Sequence, residues 1–348
     1  MLTFLSKKKS KLEFEFAVDI RGKVADWHTH LLHGVAVAHG DAAVFDGIEV
    51  VGDAEGRTDF ILAAVALADG ACVVVIDIEL LLQGMVDFQR LIVQLFGKEP
   101  QRFEHTVHAL SETGLYDGID INMGCPVHKV AASGEGSGLL RTPELAKEIM
   151  STAVKASKVP VSVKIRLGWK ADQKNYLDIC KMAEDCGVSR IAIHGRTRDQ
   201  MYSGQADWDC IYEAAEAVTI PVFGNGDIFT AEDALRRMND GPVAGILVAR
   251  GALGNPWIFG QIRDLASGRE IRMPSLQDRM QTAILHLDLQ LSWKPERVAV
   301  SEMRKHVSWY LHGVRGAASI RNRVNHMESQ AEVRQLLEEI AEHGEESW

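Results

Sequence analysis

From residue 91 onward the chain repeats one alternation of apolar and polar positions. Short runs dominated by apolar residues, Leu91–Phe96 (LIVQLF), Gly118–Met123 (GIDINM), Val161–Leu167 (VSVKIRL), Arg190–Gly195 (RIAIHG), Val222–Asp227 (VFGNGD) and Gly245–Arg250 (GILVAR), are each followed by a helix-length amphipathic stretch. Such runs suit strands buried on both faces, and a helix after every strand makes the sheet parallel. Six units in a row predict an α/β fold, a (β/α)8 TIM barrel with two further units upstream; a doubly wound open sheet is the alternative. Polar residues and glycines gather where nearly every run ends, which is where such barrels keep their active sites, and this favours the barrel.

Past Phe259 the strand pattern stops. Ser275–Trp293, Arg297–Val314 and Ala331–His343 have helical spacing, with Pro274 and Pro295 as punctuation. Three regions are therefore expected: an atypical segment over 1–90, a barrel over 91–270 and a small helical domain over 275–348. In the first region, Ile48–Asp53 and Ala71–Ile78 are the candidates for the first barrel strands.

Composition narrows the class. With 348 residues, 46% hydrophobic and 25% charged, the chain can bury a barrel-sized core and is not expected to be disordered. Its longest apolar run, Ile61–Ile78, is interrupted by Asp69 and Gly70, and the N-terminus lacks an apolar signal core. Neither a membrane span nor a secretory signal is expected, and the location expected is cytoplasmic. The five cysteines are odd in number and without CxxC spacing, so reduced thiols and no metal site are the expectation. A net charge of −10 argues against a protein that coats nucleic acid indiscriminately, but charge is unevenly placed. Between Glu296 and Asn325 six basic residues stand against two acidic ones, whereas the last 23 residues hold seven glutamates and one arginine.

The strand ends carry the candidate chemistry. Cys125 follows the expected fourth strand between Gly124 and Pro126, three residues after Asn122. A buried free cysteine is usually inert, but one at a barrel mouth points to function. Lys164 and Arg166 share one face of the fifth strand. A lysine there needs an anionic partner, water, or a cofactor or nucleobase carbonyl; a structural salt bridge is the alternative. His194 ends the sixth strand, and Gly224–Ile228 and Ala249–Phe259 form glycine-rich turns after the seventh and eighth. Two such turns with Arg250 beside them indicate a phosphorylated cofactor.

Seven segments, QLFGKEP (94–100), GIDINMGCPVHKV (118–130), SVKIRLGW (162–169), IHGRTRDQMYSGQADW (193–208), GNGDI (224–228), ARGALGNPWIF (249–259) and RKHVSWYL (304–311), resemble in order those of the flavin-dependent tRNA-dihydrouridine synthases. The likeness covers about residues 91–325, and the last segment leans towards the bacterial B-type branch. The resemblance implies an FMN-binding barrel and a helical tRNA-binding domain, in an enzyme that uses NADPH to reduce the flavin and then saturates the C5–C6 bond of selected uridines in tRNA. It further implies that Cys125 donates the proton to uracil C5 while hydride reaches C6 from the flavin. By the same matching Asn122 contacts the base, Gln94, Lys164 and His194 contact the isoalloxazine or base, and Asn225, Gly226, Asp227, Arg250 and Gly251 hold the ribityl phosphate. Arg304, Lys305, Arg321 and Arg323 would engage tRNA. No protein partner is implied, and a monomer is expected.

The first 90 residues depart from that family's pattern, in which the first strand carries an APM segment followed by a TD pair. Only Thr58–Asp59 remains of it, without the proline and methionine. The same region supplies a rival reading: His28 and His30, two apart, resemble the metal ligands of an amidohydrolase-type barrel. A third reading is a tRNA-binding homologue without activity.

Overall fold

The computed structural model describes residues 92–343 except Leu115, and upstream of them the backbone of four strands: β1 (Val51–Gly52), β2 (Thr58–Asp59), β3 (Leu62–Ala66) and β4 (Cys72–Ile76). The His28–His30 pair lies outside the described residues.

Six strands follow, β5 (Ile92–Phe96), β6 (Gly118–Met123), β7 (Val161–Arg166), β8 (Arg190–His194), β9 (Val222–Asn225) and β10 (Gly245–Leu247), each paired in parallel with the next. Between and after them run α1 (Pro100–Glu112), α2 (His128–Ala132), α3 (Pro143–Ala156), α4 (Tyr176–Asp185), α5 (Trp208–Ala217), α6 (Ala231–Asn239) and α7 (Ile258–Ala266). All six expected strands are present, in the expected α/β order. Prolines in the first turns of α1 and α3, and the Asp207 and Thr230 side chains that cap α5 and α6, start these helices where the strand-end loops finish.

The upstream strands differ from what two more βα units would make. β3 and β4 extend the same sheet, but β3 runs antiparallel to β4, and β4 antiparallel to β5. Only residues 67–71 link β3 to β4, and a link that short joins antiparallel neighbours, since a parallel crossover needs about a dozen residues or more. β1 and β2 form a separate two-stranded antiparallel ladder.

Alternation along the parallel strands separates core from site. Val93, Leu95, Ile119, Ile121, Val163, Ile165, Ile191 and Ile193 turn to one face and join the main apolar core with the helices. The other face carries Gln94, Asp120, Asn122, Ser162, Lys164, Arg166, His194 and Asn225, with a small apolar cluster of Ala192, Phe223 and Leu247. Register lines the polar residues up: Gln94 opposite Asp120, Asp120 opposite Ser162, Asn122 opposite Lys164, Arg166 opposite His194, and His194 opposite Asn225.

The C-terminal helices are α8 (Leu276–Trp293), α9 (Glu296–Tyr310), α10 (Ala317–Asn325) and α11 (Gln330–His343). Ser275 and Asp278 form a capping box that starts α8 just after Pro274. Met280, Leu287, Met303, Val307, Ile320, Val324, Leu336 and Ile340 give these helices an apolar core of their own. The unforeseen α10 begins after Gly316, whose φ of 73° stops the preceding turn.

Candidate active site

A cavity of about 340 Å³ opens where the parallel strands end. Gln94, Asn122, Cys125, Lys164, His194, Asn225, Gly226, Asp227, Arg250 and Gly251, all of them candidates from the sequence, line it together. Arg166 and Tyr202 line it too, and α9 contributes Lys305 and Trp309 from the helical domain.

Cys125 is held by its backbone. The Asn122 side-chain oxygen accepts from the N–H groups of Gly124 (3.0 Å) and Cys125 (2.9 Å). The Cys125 carbonyl accepts from both the hydroxyl (2.7 Å) and the N–H (3.1 Å) of Ser137, and the Gly124 carbonyl accepts from Arg166 Nε at 2.9 Å. At Gly136, with φ of 55°, a Cβ would stand 2.9 Å from that of Cys125, so the chain passes close only because glycine is there.

From this turn a chain of hydrogen bonds runs into the sheet. Because Asn122 Oδ1 faces two N–H donors, its Nδ2 must face Gln94, which accepts through Oε1 at 2.9 Å and in turn donates through Nε2 to Asp120 at 2.6 Å. Ser162 donates to the other Asp120 oxygen at 2.6 Å. Burial pushes the Asp120 carboxyl above its ordinary range, while the donors Ser162 and Gln94 and the cations Arg190 and Lys164 oppose that shift. Each amide is oriented by its neighbours, so Gln94 and Asn122 each keep one N–H for a carbonyl acceptor.

A second network organises the glycine turns. Arg196 is 1% exposed and grips both Asp227 oxygens, at 2.8 and 2.7 Å. The same carboxylate accepts from the Ala206 N–H at 2.7 Å and from Arg250 at 3.2 Å. Asp227 thus holds Arg250 at the cavity, and Arg250 also lies 4.9 Å from the Tyr202 ring. The Asp227 backbone sits at φ 53° beside Gly226 at 127°. Burial, with Arg166, Lys164, Arg196 and Arg250 around it, keeps His194 well below the ordinary imidazole range and therefore neutral at pH 7. Arg196 Nη1 is 3.3 Å from His194 Nε2 and can only donate, which puts the ring proton on Nδ1. Burial also lowers Arg166 to about 10, so it stays charged at neutral pH.

The helical domain packs on the loop after β10 at Gly254, where a Cβ would stand 2.4 Å from the Trp309 backbone, and reaches the cavity with Lys305, whose ammonium lies 5.1 Å from the Trp309 ring. The other predicted basic residues stand apart. Arg304 donates to the Met327 carbonyl at 3.2 and 2.6 Å, Arg323 pairs with Glu339 at 3.3 Å, and Arg321 is exposed on α10.

Asp120, Arg196, Tyr202 and Trp309 are not among the sequence candidates. An acidic residue inside an apolar strand was the available signal for Asp120, the same signal that singled out Lys164. Among the described residues no group of three metal-binding side chains comes together, and no helix is long and apolar enough to cross a membrane.

A thiol, several cations and two glycine turns share one cavity at the strand ends of a parallel α/β sheet, partly covered by a helical domain, where enzymes of the α/β class keep their active sites. The sequence model of the dihydrouridine synthase (Dus) family matches residues 79–345. A probable tRNA-dihydrouridine synthase of Rickettsia conorii is 39% identical over 249 residues, 71% of this chain and 75% of that protein. The tRNA-dihydrouridine synthases B of Pseudomonas putida (40% over 237 residues, 68% and 70% of the two chains) and Xanthomonas campestris (39% over 238, 68% and 71%) are similar to the same extent. The chain belongs to the dihydrouridine synthase family, and it is an oxidoreductase.

Proposed function

We propose that the chain reduces uridines of tRNA to 5,6-dihydrouridine with FMN as cofactor and NADPH as reductant, and that Cys125 is the proton donor. The observation that carries this reading is the thiol turn, anchored by Asn122, Ser137 and Arg166, on the same cavity as the glycine turns and Arg250.

The residues present fit a flavin mononucleotide. Among the described residues, Lys164, Arg166, Arg250 and Lys305 line the cavity against one carboxylate, that of Asp227, which Arg196 already pairs with, so this lining is positive and suits a phosphate. At Gly226 a Cβ would stand 2.6 Å from Ala206 Cβ and 3.2 Å from the His194 ring, and at Gly251 one would stand 2.1 Å from the Ile228 carbonyl. Both turns pack so closely against neighbouring chain that only glycine fits, and Asn225, its amide donating to the Leu247 carbonyl at 3.0 Å, braces the first of them. Arg250 and the two turns would hold the phosphate, with Asp227 positioning the arginine.

When bound, FMN supplies the hydride to uracil C6. The chain provides the rest. Cys125 Sγ gives its proton to C5, a role for which a thiol is suited as a general acid. Arg166 lies within electrostatic reach of Cys125 and favours the thiolate left behind. The spare N–H groups of Gln94 and Asn122 meet carbonyls of the base or the ring system, and Lys164 does the same from the neighbouring strand. Neutral His194 keeps a further positive charge out of the phosphate end. Lys305, Arg321 and Arg323 supply cations towards the nucleic acid.

Two measurements test the reading together. The purified protein should show flavin absorption bands, and with NADPH it should form dihydrouridine in tRNA lacking that base. Metal without flavin would favour the hydrolase alternative, and tRNA binding without flavin the inactive homologue.

A further inference from the structure

Three loops at the barrel mouth meet around one indole outside the cavity. Trp169 follows β7, Arg141 ends a short 3-10 turn (Gly136–Arg141) after β6, and Arg198 follows β8. The two guanidinium carbons lie 4.8 Å (Arg141) and 4.7 Å (Arg198) from the Trp169 ring centroid. Asp172 and Asp199 stand on the same loops, yet among the described residues neither arginine is in an ion pair, and the buried Nε of Arg198 has no hydrogen-bond partner. Lys170 on the same loop adds an exposed cation. Two un-neutralised positive charges on one ring repel each other, and a nearby anion relieves that repulsion.

The cluster is locked to the catalytic loops. The Arg198 and Asp199 N–H groups donate to the carbonyls of Gly168 (2.9 Å) and Trp169 (3.2 Å), and Leu167 N–H donates to the Arg196 carbonyl at 3.1 Å. Asn175 ties the loop after β7 to the Leu140 carbonyl beside Arg141 at 2.8 Å. Arg166, which holds the Cys125 turn, also donates to the carbonyls of Thr197 (2.9 Å) and Met201 (2.8 Å). The patch therefore stands at a fixed offset from the thiol. It belongs to the loops after β6, β7 and β8, whereas the helical domain meets the mouth near Gly254, after β10.

We infer that Arg141, Trp169 and Arg198 form a phosphate-binding platform for the tRNA backbone beside the target uridine, on the rim away from the helical domain. The inference rests on the proposed function, which makes tRNA the substrate. In a chain of net charge −10, local unpaired guanidiniums are what a polyanion can use. With Lys305 from α9, the platform brackets the cavity, so that the backbone is held on two sides of the base that enters.

The test is tRNA binding by the full, flavin-loaded chain across a salt series, for the parent, Arg141→Ala/Arg198→Ala and Arg141→Glu. Each lost phosphate contact removes roughly 0.7–0.9 from the log–log salt slope, so the double variant should flatten the slope by about 1.5 and weaken binding at physiological salt on the order of tenfold, with a higher KM for tRNA. Arg141→Glu, at an exposed position that does not threaten folding, should weaken binding at low salt. An unchanged slope in the double variant together with unchanged affinity in Arg141→Glu would overturn the platform while leaving the proposed function standing. A parent protein that neither binds nor modifies tRNA would overturn both.

Discussion

Asn122→Ala tests whether the thiol works only because its turn is held. The substitution removes three hydrogen bonds, those from the Gly124 and Cys125 N–H groups and that to Gln94. At a net of roughly 0.5–1.5 kcal/mol each, the turn loses about 1.5–4.5 kcal/mol of anchoring. Asn122 is half-buried, so water replaces part of this, and about 3 kcal/mol remains as a working figure. If that loss falls on the geometry from which Cys125 gives its proton, dihydrouridine formation at saturating tRNA slows on the order of 10²-fold, since ~1.4 kcal/mol is a factor of ten. Flavin reduction by NADPH, which needs no proton from Cys125, should fall much less. Alkylation of Cys125 should change rate as well, because a released turn exposes the thiol differently. Asn122→Asp keeps the shape but sets a carboxylate oxygen against Gln94 Oε1, and should be at least as damaging. Uridine reduction within about threefold of the parent, with Cys125 alkylated at the parent rate, would refute the reasoning.

Two further outcomes follow from the geometry. Arg250→Ala removes a charge-assisted contact of about 1.5–3 kcal/mol, so FMN should be retained about ten- to hundredfold more weakly, read as flavin content after dialysis. In the helical domain, burial and Lys294 lower His286 to about 4, and burial, then His286, Lys294 and Lys305, lower His306 to about 2, the two rings lying 4.4 Å apart with Tyr310 and Gln290 against them. The unfolded chain binds these protons from about pH 6.5 downward and the folded one does not, so stability is full above pH 6.5 and is lost towards pH 4. For His286 alone the loss between pH 7 and 5 is about 2 kcal/mol by denaturant titration, and His286→Phe should remove that share.

Much of this was legible in the sequence because it is local. The six parallel strands announce themselves as short apolar runs, and their polar interruptions, Gln94, Asn122, Lys164 and His194, fall on the strand face that lines the cavity. What escaped depends on register. The link from Ser162 through Asp120 and Gln94 to Asn122 joins three strands, and nothing along a single strand says which residue stands opposite which. Arg196 and Asp227 are 31 residues apart, and nothing local says that they pair or that the same carboxylate accepts from Arg250. α10 was hidden because its apolar positions, Ile320 and Val324, are few and follow a glycine turn. The antiparallel β3–β4 pair was missed because the expected upstream strands were Ile48–Asp53 and Ala71–Ile78; Leu62–Ala66 was not counted as a strand, and a link of residues 67–71 is short enough to join antiparallel neighbours.

The most direct test of the central claim reduces the bound flavin without oxygen, mixes the enzyme with tRNA lacking dihydrouridine, and follows flavin reoxidation in a single turnover. With Cys125→Ala the rate should fall by a factor on the order of 10²–10⁴, the range for loss of a general acid. Reoxidation at the parent rate, with dihydrouridine formed in equal yield, would contradict the assignment of the proton to Cys125.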